Sequence, residues 1–151
     1  MVQESAKTSA ESEFAEVLTA LAEQDTLTAL PRIEKALRLW DRPEWYSYLG
    51  LCIAKERGQH RKGIELCQES LAIEPDNPSH YLNLGRLHLA KGDKLEALQV
   101  LRAGMNRGGS PELVQQLDRL GMRRRSVIPF LSRNNLLNRY LGILFGRLGL
   151  R

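Results

Sequence analysis

Two consecutive stretches of this chain repeat one another: PEWYSYLGLCIAKERGQHRKGIELCQESLAIEPDN from Pro43 and PSHYLNLGRLHLAKGDKLEALQVLRAGMNRGGS from Pro78. Each runs Pro, an aromatic three residues on, Leu-Gly, a Gly-containing break, then a second apolar-periodic half. Recurrence at about 34 to 35 residues marks stacked helical hairpins, because no single hairpin can bury its apolar face alone. Gly50 and Gly85 stand mid-helix in this pattern. A helix accepts the roughly 1 kcal/mol propensity cost of Gly when the missing Cβ lets a second helix come close. Gly63 and Ala97 are the small residues expected opposite them.

The pattern resembles the tetratricopeptide repeat family, which places a large residue, Leu-Gly, a bulky residue, Gly-Asp at a turn, then Ala and further core positions, often closing on Pro. The second repeat carries these as Tyr81, Leu84-Gly85, His88, Gly92-Asp93, Ala97, Leu101 and Gly104, with Gly109 in place of the closing Pro. The first carries Tyr46, Leu49-Gly50, Ile53, Gly58, Gly63, Cys67, Ser70 and Pro75, with one extra residue before Gly58. The resemblance implies an all-α superhelix of helical hairpins.

Helix starts are signed by capping residues. Asp41-Arg42-Pro43-Glu44 fits an N-cap with an acid three residues on; Asn77-Pro78 and Ser110-Pro111 fit an N-cap followed by Pro. Helices are therefore expected from near 42, 78 and 111. Gly92-Asp93 ends one helix and begins another. Upstream, EFAEVLTALAEQ and LPRIEKALRLW form a further pair without Leu-Gly, a degenerate repeat in which Thr28 is the expected N-cap and Pro31 sits in the first turn. The domain plan is a mobile acidic end over 1–10, a repeat domain over 11–121 and an extension over 122–151. The repeat domain divides into 11–41, 43–77, 78–110 and a capping helix, 111–121.

At 151 residues, the chain is long enough for one sizeable core. Its N-terminus has no apolar run of the signal-peptide kind, and no apolar stretch reaches the roughly 18 residues of a spanning helix. Cys52 and Cys67 lie in apolar-periodic segments and read as core thiols, since neither has Cys or His at metal-ligand spacing. His60, His80 and His88 form no ligand set with them, and His88 occupies a packing position. No phosphate-binding loop, dinucleotide fingerprint, nucleophile elbow or zinc-protease motif is present. The reading is a non-enzyme without cofactor or metal. Similarity to short repeat proteins with a basic FLSRNN-type tail implies a bacterial, cytoplasmic protein.

The family binds peptides in a concave groove lined by the first helix of each hairpin. Carried onto this chain, the resemblance implies a groove of Glu44, Ser47, Tyr48, Leu51 and Lys55 from one repeat and Ser79, Leu82, Asn83, Arg86 and Leu89 from the next. Such a mix suits an extended or helical peptide. The plainer reading is that several of these positions touch only a neighbouring helix or solvent. A branch of the family clamps chaperone C-termini with Lys, Asn and Arg. Only Asn83 fits that clamp; Ser47 and Leu51 stand where Lys and Asn are needed.

Net charge is +4, and it is polarised. Residues 1–25 carry six acids against one Lys, whereas residues 119–151 carry eight Arg and no acid. Within the extension, Leu137, Tyr140, Leu141, Leu144 and Leu148 fall on one face of an expected helix, following the basic run Arg123-Arg124-Arg125. Three readings stand for it: a helix that folds back on the array, a helix that docks a partner, and a membrane-surface helix. Nucleic acid is disfavoured, because aromatics for base stacking are sparse. The oppositely charged ends also permit head-to-tail homo-oligomers. The sequence thus points to a protein-protein adaptor or scaffold, with a peripheral-membrane or self-assembling protein as the alternative.

Overall fold

In the computed structural model, residues 1–121 are described. They form α1 (Val2–Ala22), α2 (Thr26–Leu39), a 3-10 turn (Pro43–Trp45), α3 (Tyr46–Arg57), α4 (His60–Ile73), α5 (Pro78–Lys91), α6 (Lys94–Asn106) and α7 (Pro111–Arg119). The described residues contain no strand. The chain divides into two units, Met1–Leu117 and Asp118–Arg151, and of the second only the end of α7 and the turn to Gly121 are described.

Helices α1/α2, α3/α4 and α5/α6 pair as hairpins, and each later hairpin packs its first helix on the hairpin before it: α3 on α2, and α5 on both α3 and α4. The three hairpin turns share one design. A left-handed residue, Gln24 (φ 59°), Gly58 (φ 68°) or Gly92 (φ 88°), is followed directly by the N-cap of the second helix: Asp25, Gln59 or Asp93. Asp25 accepts from the Thr28 N–H and Asp93 from the Glu96 N–H, satisfying donors that a helix start leaves open. Gln59 makes no such bond. Asn77 caps α5 through the Ser79 N–H with Pro78 at the first position, and the Ser110 hydroxyl accepts from the Leu113 N–H.

Three local expectations need correction. Residues 2–10 belong to the N-terminal part of α1 rather than forming a separate end. The N-cap of α2 is Asp25, not Thr28, so Pro31 lies inside the helix, where it donates no backbone bond. Asp41 does not cap a helix at 42. Its carboxylate accepts from the Tyr46 hydroxyl at 2.7 Å, and Pro43 opens a 3-10 turn that delays α3 to Tyr46.

The mid-helix glycines are explained by contact. A Cβ on Gly50 would lie 2.5 Å from the Gly63 carbonyl oxygen, and one on Gly63 would lie 2.5 Å from the Gly50 oxygen, so α3 and α4 meet backbone to backbone. Gly85 faces Leu101 rather than Ala97: a Cβ there would meet Leu101 Cδ2 at 2.5 Å. Ile33, Leu51, Leu87, Leu101 and Leu113 are fully buried, each contributing about 1.5–3 kcal/mol by leaving water.

Ion pairs tie the surface between helices. Glu13 on α1 meets Arg32 at 3.0 Å and also Lys35, and Arg57 on α3 meets Glu34 on α2 at 2.7 Å.

Cys52 and Cys67 are free thiols, both fully buried. Burial pushes each from the ordinary 9.0 up to about 12. Two results follow. An aromatic disulfide reagent at pH 8 should leave both thiols untouched in the native chain and titrate both in denaturant; prompt native reaction would contradict their burial. Stability should also fall as pH rises from about 9 towards 12, because the unfolded chain releases thiol protons that the folded chain retains.

Candidate peptide-binding face

The α3 and α5 helices lie side by side and carry nine of the ten expected groove residues, with Glu44 on the 3-10 turn before α3, at different depths. Ser47, Leu51, Leu82 and Asn83 are buried. Glu44, Tyr48, Ser79, Arg86 and Leu89 are half-buried, and Lys55 is exposed. Four of the ten thus lie in the seam between helices.

The two buried polar residues, Ser47 and Asn83, belong to a hydrogen-bonded chain that the sequence did not reveal. Asn83 Nδ2 donates to Ser47 Oγ at 3.0 Å. Ser47 Oγ lies 2.7 Å from His80 Nδ1, and His80 Nε2 lies 2.6 Å from Glu74 Oε2. Because the hydroxyl already accepts from Asn83, its own hydrogen goes to Nδ1, which leaves the imidazole proton on Nε2 for the Glu74 carboxylate. Asn77 Nδ2 also donates to Glu74, at 2.9 Å. On the other side, the Ser47 N–H donates to Ser70 Oγ at 2.9 Å, and the Ser70 hydroxyl donates to the Pro43 carbonyl at 2.7 Å. The chain joins α3, α4, α5 and the segment between α4 and α5.

Ser47, His80 and Glu74 stand in the order of a nucleophile, base and carboxylate. The side chain of Ser47 is fully buried and its oxygen is engaged on both sides, so no substrate reaches it. The arrangement is a structural clasp. His88, also buried, has its pKa lowered by loss of solvent, and among the described residues its Nδ1 has no hydrogen-bond partner.

Above the clasp, Tyr48 meets Phe14 edge to face at 5.0 Å and His80 at 6.2 Å. Burial raises the Tyr48 phenol above its ordinary value, and the Ser79 hydroxyl beside it acts in the opposite sense. Phe14 stacks on Trp45 at 4.3 Å, and Arg42 lies over Trp40 at 4.4 Å and Trp45 at 5.3 Å. The α1 helix therefore contributes an aromatic to this face that the sequence reading left out. Phe14 stands as far ahead of the Asp25 cap as Tyr48 stands ahead of the Gln59 cap, and that spacing is the signal for it. Glu44 is held below its ordinary value, first by its own backbone N–H and then by Arg42. Arg86 Nε donates to Gln116 on α7 at 3.3 Å.

Residues 54–118 match the family model described as the tetratricopeptide repeat. These residues are similar to tetratricopeptide repeats. The match takes in the end of α3 and helices α4 to α6, and it runs into α7. Among solved structures, the crystal structure of MamA protein is similar, with 20% identity, a TM-score of 0.44 and coverage of 82% of this chain. The chain spans 62% of that protein's length.

The matched family is one of protein-protein interaction modules, and the face just described is the first-helix side of two consecutive hairpins. Among the described residues no group of three or more His, Cys, Asp or Glu could hold a metal ion, and no helix is long and apolar enough to cross a membrane. The expected tail residues Arg123, Arg124, Arg125, Leu137, Tyr140, Leu141, Leu144 and Leu148 lie outside the described residues.

Proposed function

We propose that the protein is a non-catalytic adaptor or scaffold, and that it takes an extended or helical peptide of a partner protein on the face of α3 and α5. The observation that carries this reading is the layering of that face. Leu51, Leu82 and the clasp are shut beneath it, while Tyr48, Ser79 and Leu89 remain half-open beside the exposed Lys55. An apolar strip with a few fixed donors and a rigid floor binds peptide with little ordering cost.

Tyr48→Ala is a poor probe, since that ring also supports Phe14 and His80. The better probe is Lys55→Glu with Leu89→Glu, at an exposed and a half-buried position. Peptides selected from a random display library on the wild-type chain should bind this variant at least about tenfold more weakly, a loss of about 1.4 kcal/mol. Circular dichroism should stay unchanged. Equal binding to both chains would remove the α3/α5 face as the site.

A further inference from the structure

Among the described residues, no hairpin packs on the outer face of α1 as α1/α2 packs on α3 and α3/α4 packs on α5. On α5, Leu87 is fully buried and faces Gly63 of the hairpin before it, 2.7 Å from where a Cβ on that glycine would stand. The matching residue on α3, two after Gly50 as Leu87 is two after Gly85, is Cys52. It is also fully buried, and it feels the charge of Glu34 on α2. On α1 the matching residue is Leu18, which stands as far ahead of the Asp25 cap as Cys52 stands ahead of the Gln59 cap. Leu18 is 44% exposed. Around it, Glu4, Thr8, Glu11, Ala15, Leu18 and Ala22 recur at three- and four-residue steps along one exposed stripe of the helix.

Among the described residues this stripe has no partner; it has an apolar centre and an acidic end. Of the six acids in residues 1–25, Glu13 is neutralised by Arg32 and Lys35 and Asp25 is spent on its cap, which leaves Glu4, Glu11, Glu16 and Glu23 exposed. The chain itself supplies the complement: residues 122–151 hold seven Arg, no acid and many Leu.

We propose that the exposed face of α1 receives the basic 122–151 segment of a second copy. A contact of this head-to-tail kind uses two different surfaces, so each copy that joins offers the same pair again and assembly continues beyond a dimer unless the ring closes. The apolar area around Leu18 is small, so charge supplies most of the attraction and salt dissolves it. The proposal is independent of peptide binding on α3 and α5.

The test is a charge exchange on the full chain, read by sedimentation equilibrium across a concentration series at about 0.02 M and about 0.5 M salt. The wild type should grow in mass with concentration at low salt and be monomeric at high salt. A head variant, Glu4→Lys with Glu11→Lys, and a tail variant, Arg139→Glu with Arg147→Glu, should each associate at least about tenfold more weakly at low salt. Mixed in equal amounts, they should assemble again, because each then offers the sign that the other lacks. A wild type that stays monomeric at low salt overturns the proposal, and its sedimentation with mixed phosphatidylserine and phosphatidylcholine vesicles would assign the basic segment to a lipid surface instead. Assembly that survives the head variant, or a mixture that fails to recover, also overturns it.

Discussion

Gly50→Ala is expected to destabilise the chain by about 3 kcal/mol or more, although alanine is the better helix former by roughly 1 kcal/mol. The new methyl would lie 2.5 Å from the Gly63 carbonyl oxygen and 3.3 Å from Cys67 Sγ. Backbone oxygen cannot rotate away as a side-chain terminus can, so α3 and α4 must separate along their length. Urea unfolding followed by circular dichroism measures the loss. Gly58→Ala is the control. Its Cβ would meet nothing within 4 Å, so only the left-handed backbone (φ 68°) is penalised, at about 1–2 kcal/mol. If Gly50→Ala were neutral or stabilising, or if it cost less than Gly58→Ala, close helix approach would not be the reason for a glycine at position 50.

His80→Ala is the second large effect, expected at about 3–4 kcal/mol. The substitution removes a fully buried ring and leaves the Ser47 hydroxyl hydrogen without its acceptor, while Glu74 loses one of its two side-chain donors. Glu74→Gln should cost far less, because that side chain is 40% exposed and its amide oxygen still accepts from Nε2. The same urea experiment orders the three chains. Equal losses for His80→Ala and Glu74→Gln would place the strength of the clasp in the negative charge of Glu74 rather than in buried hydrogen bonding. A loss near zero for both would make the chain of bonds incidental to stability.

The hairpin array was legible because its signals are local. Leu-Gly at two matching positions, Gly92-Asp93, Asn77-Pro78 and Ser110-Pro111 each act within a few residues, and each does in the structure what its chemistry requires. The first hairpin was blurred because Gln24 takes the left-handed position that Gly58 and Gly92 hold in the others, so the expected break residue was missing. Pro31 misled for a similar reason. Proline prefers a first turn, but burial of Thr26, Ala29 and Leu30 begins α2 earlier than that preference suggests.

The candidate face was less legible. Ser47 and Asn83 are polar residues on amphipathic helices, which in one dimension look like donors offered to a ligand. Their burial depends on His80, a residue in the first turn of α5 that gives no sequence sign of meeting α3. Contacts of this kind join residues about one repeat apart, a distance at which helix periodicity carries no information.

The clasp also bears on how the molecule comes apart. In a linear array, each hairpin contacts only its neighbours, and unfolding spreads across whichever junction is weakest. Between α3/α4 and α5/α6 the junction contains a buried chain of directional bonds joining Asn83, Ser47 and His80, whereas α1/α2 meets its neighbour through rings, a single Thr26–Glu56 hydrogen bond and the Arg57–Glu34 pair nearer the surface. The amide protons of α3 and α5 should then exchange with deuterium together and last, and those of α1 should exchange ahead of them. The N-terminal hairpin would open while the two hairpins behind it stay shut.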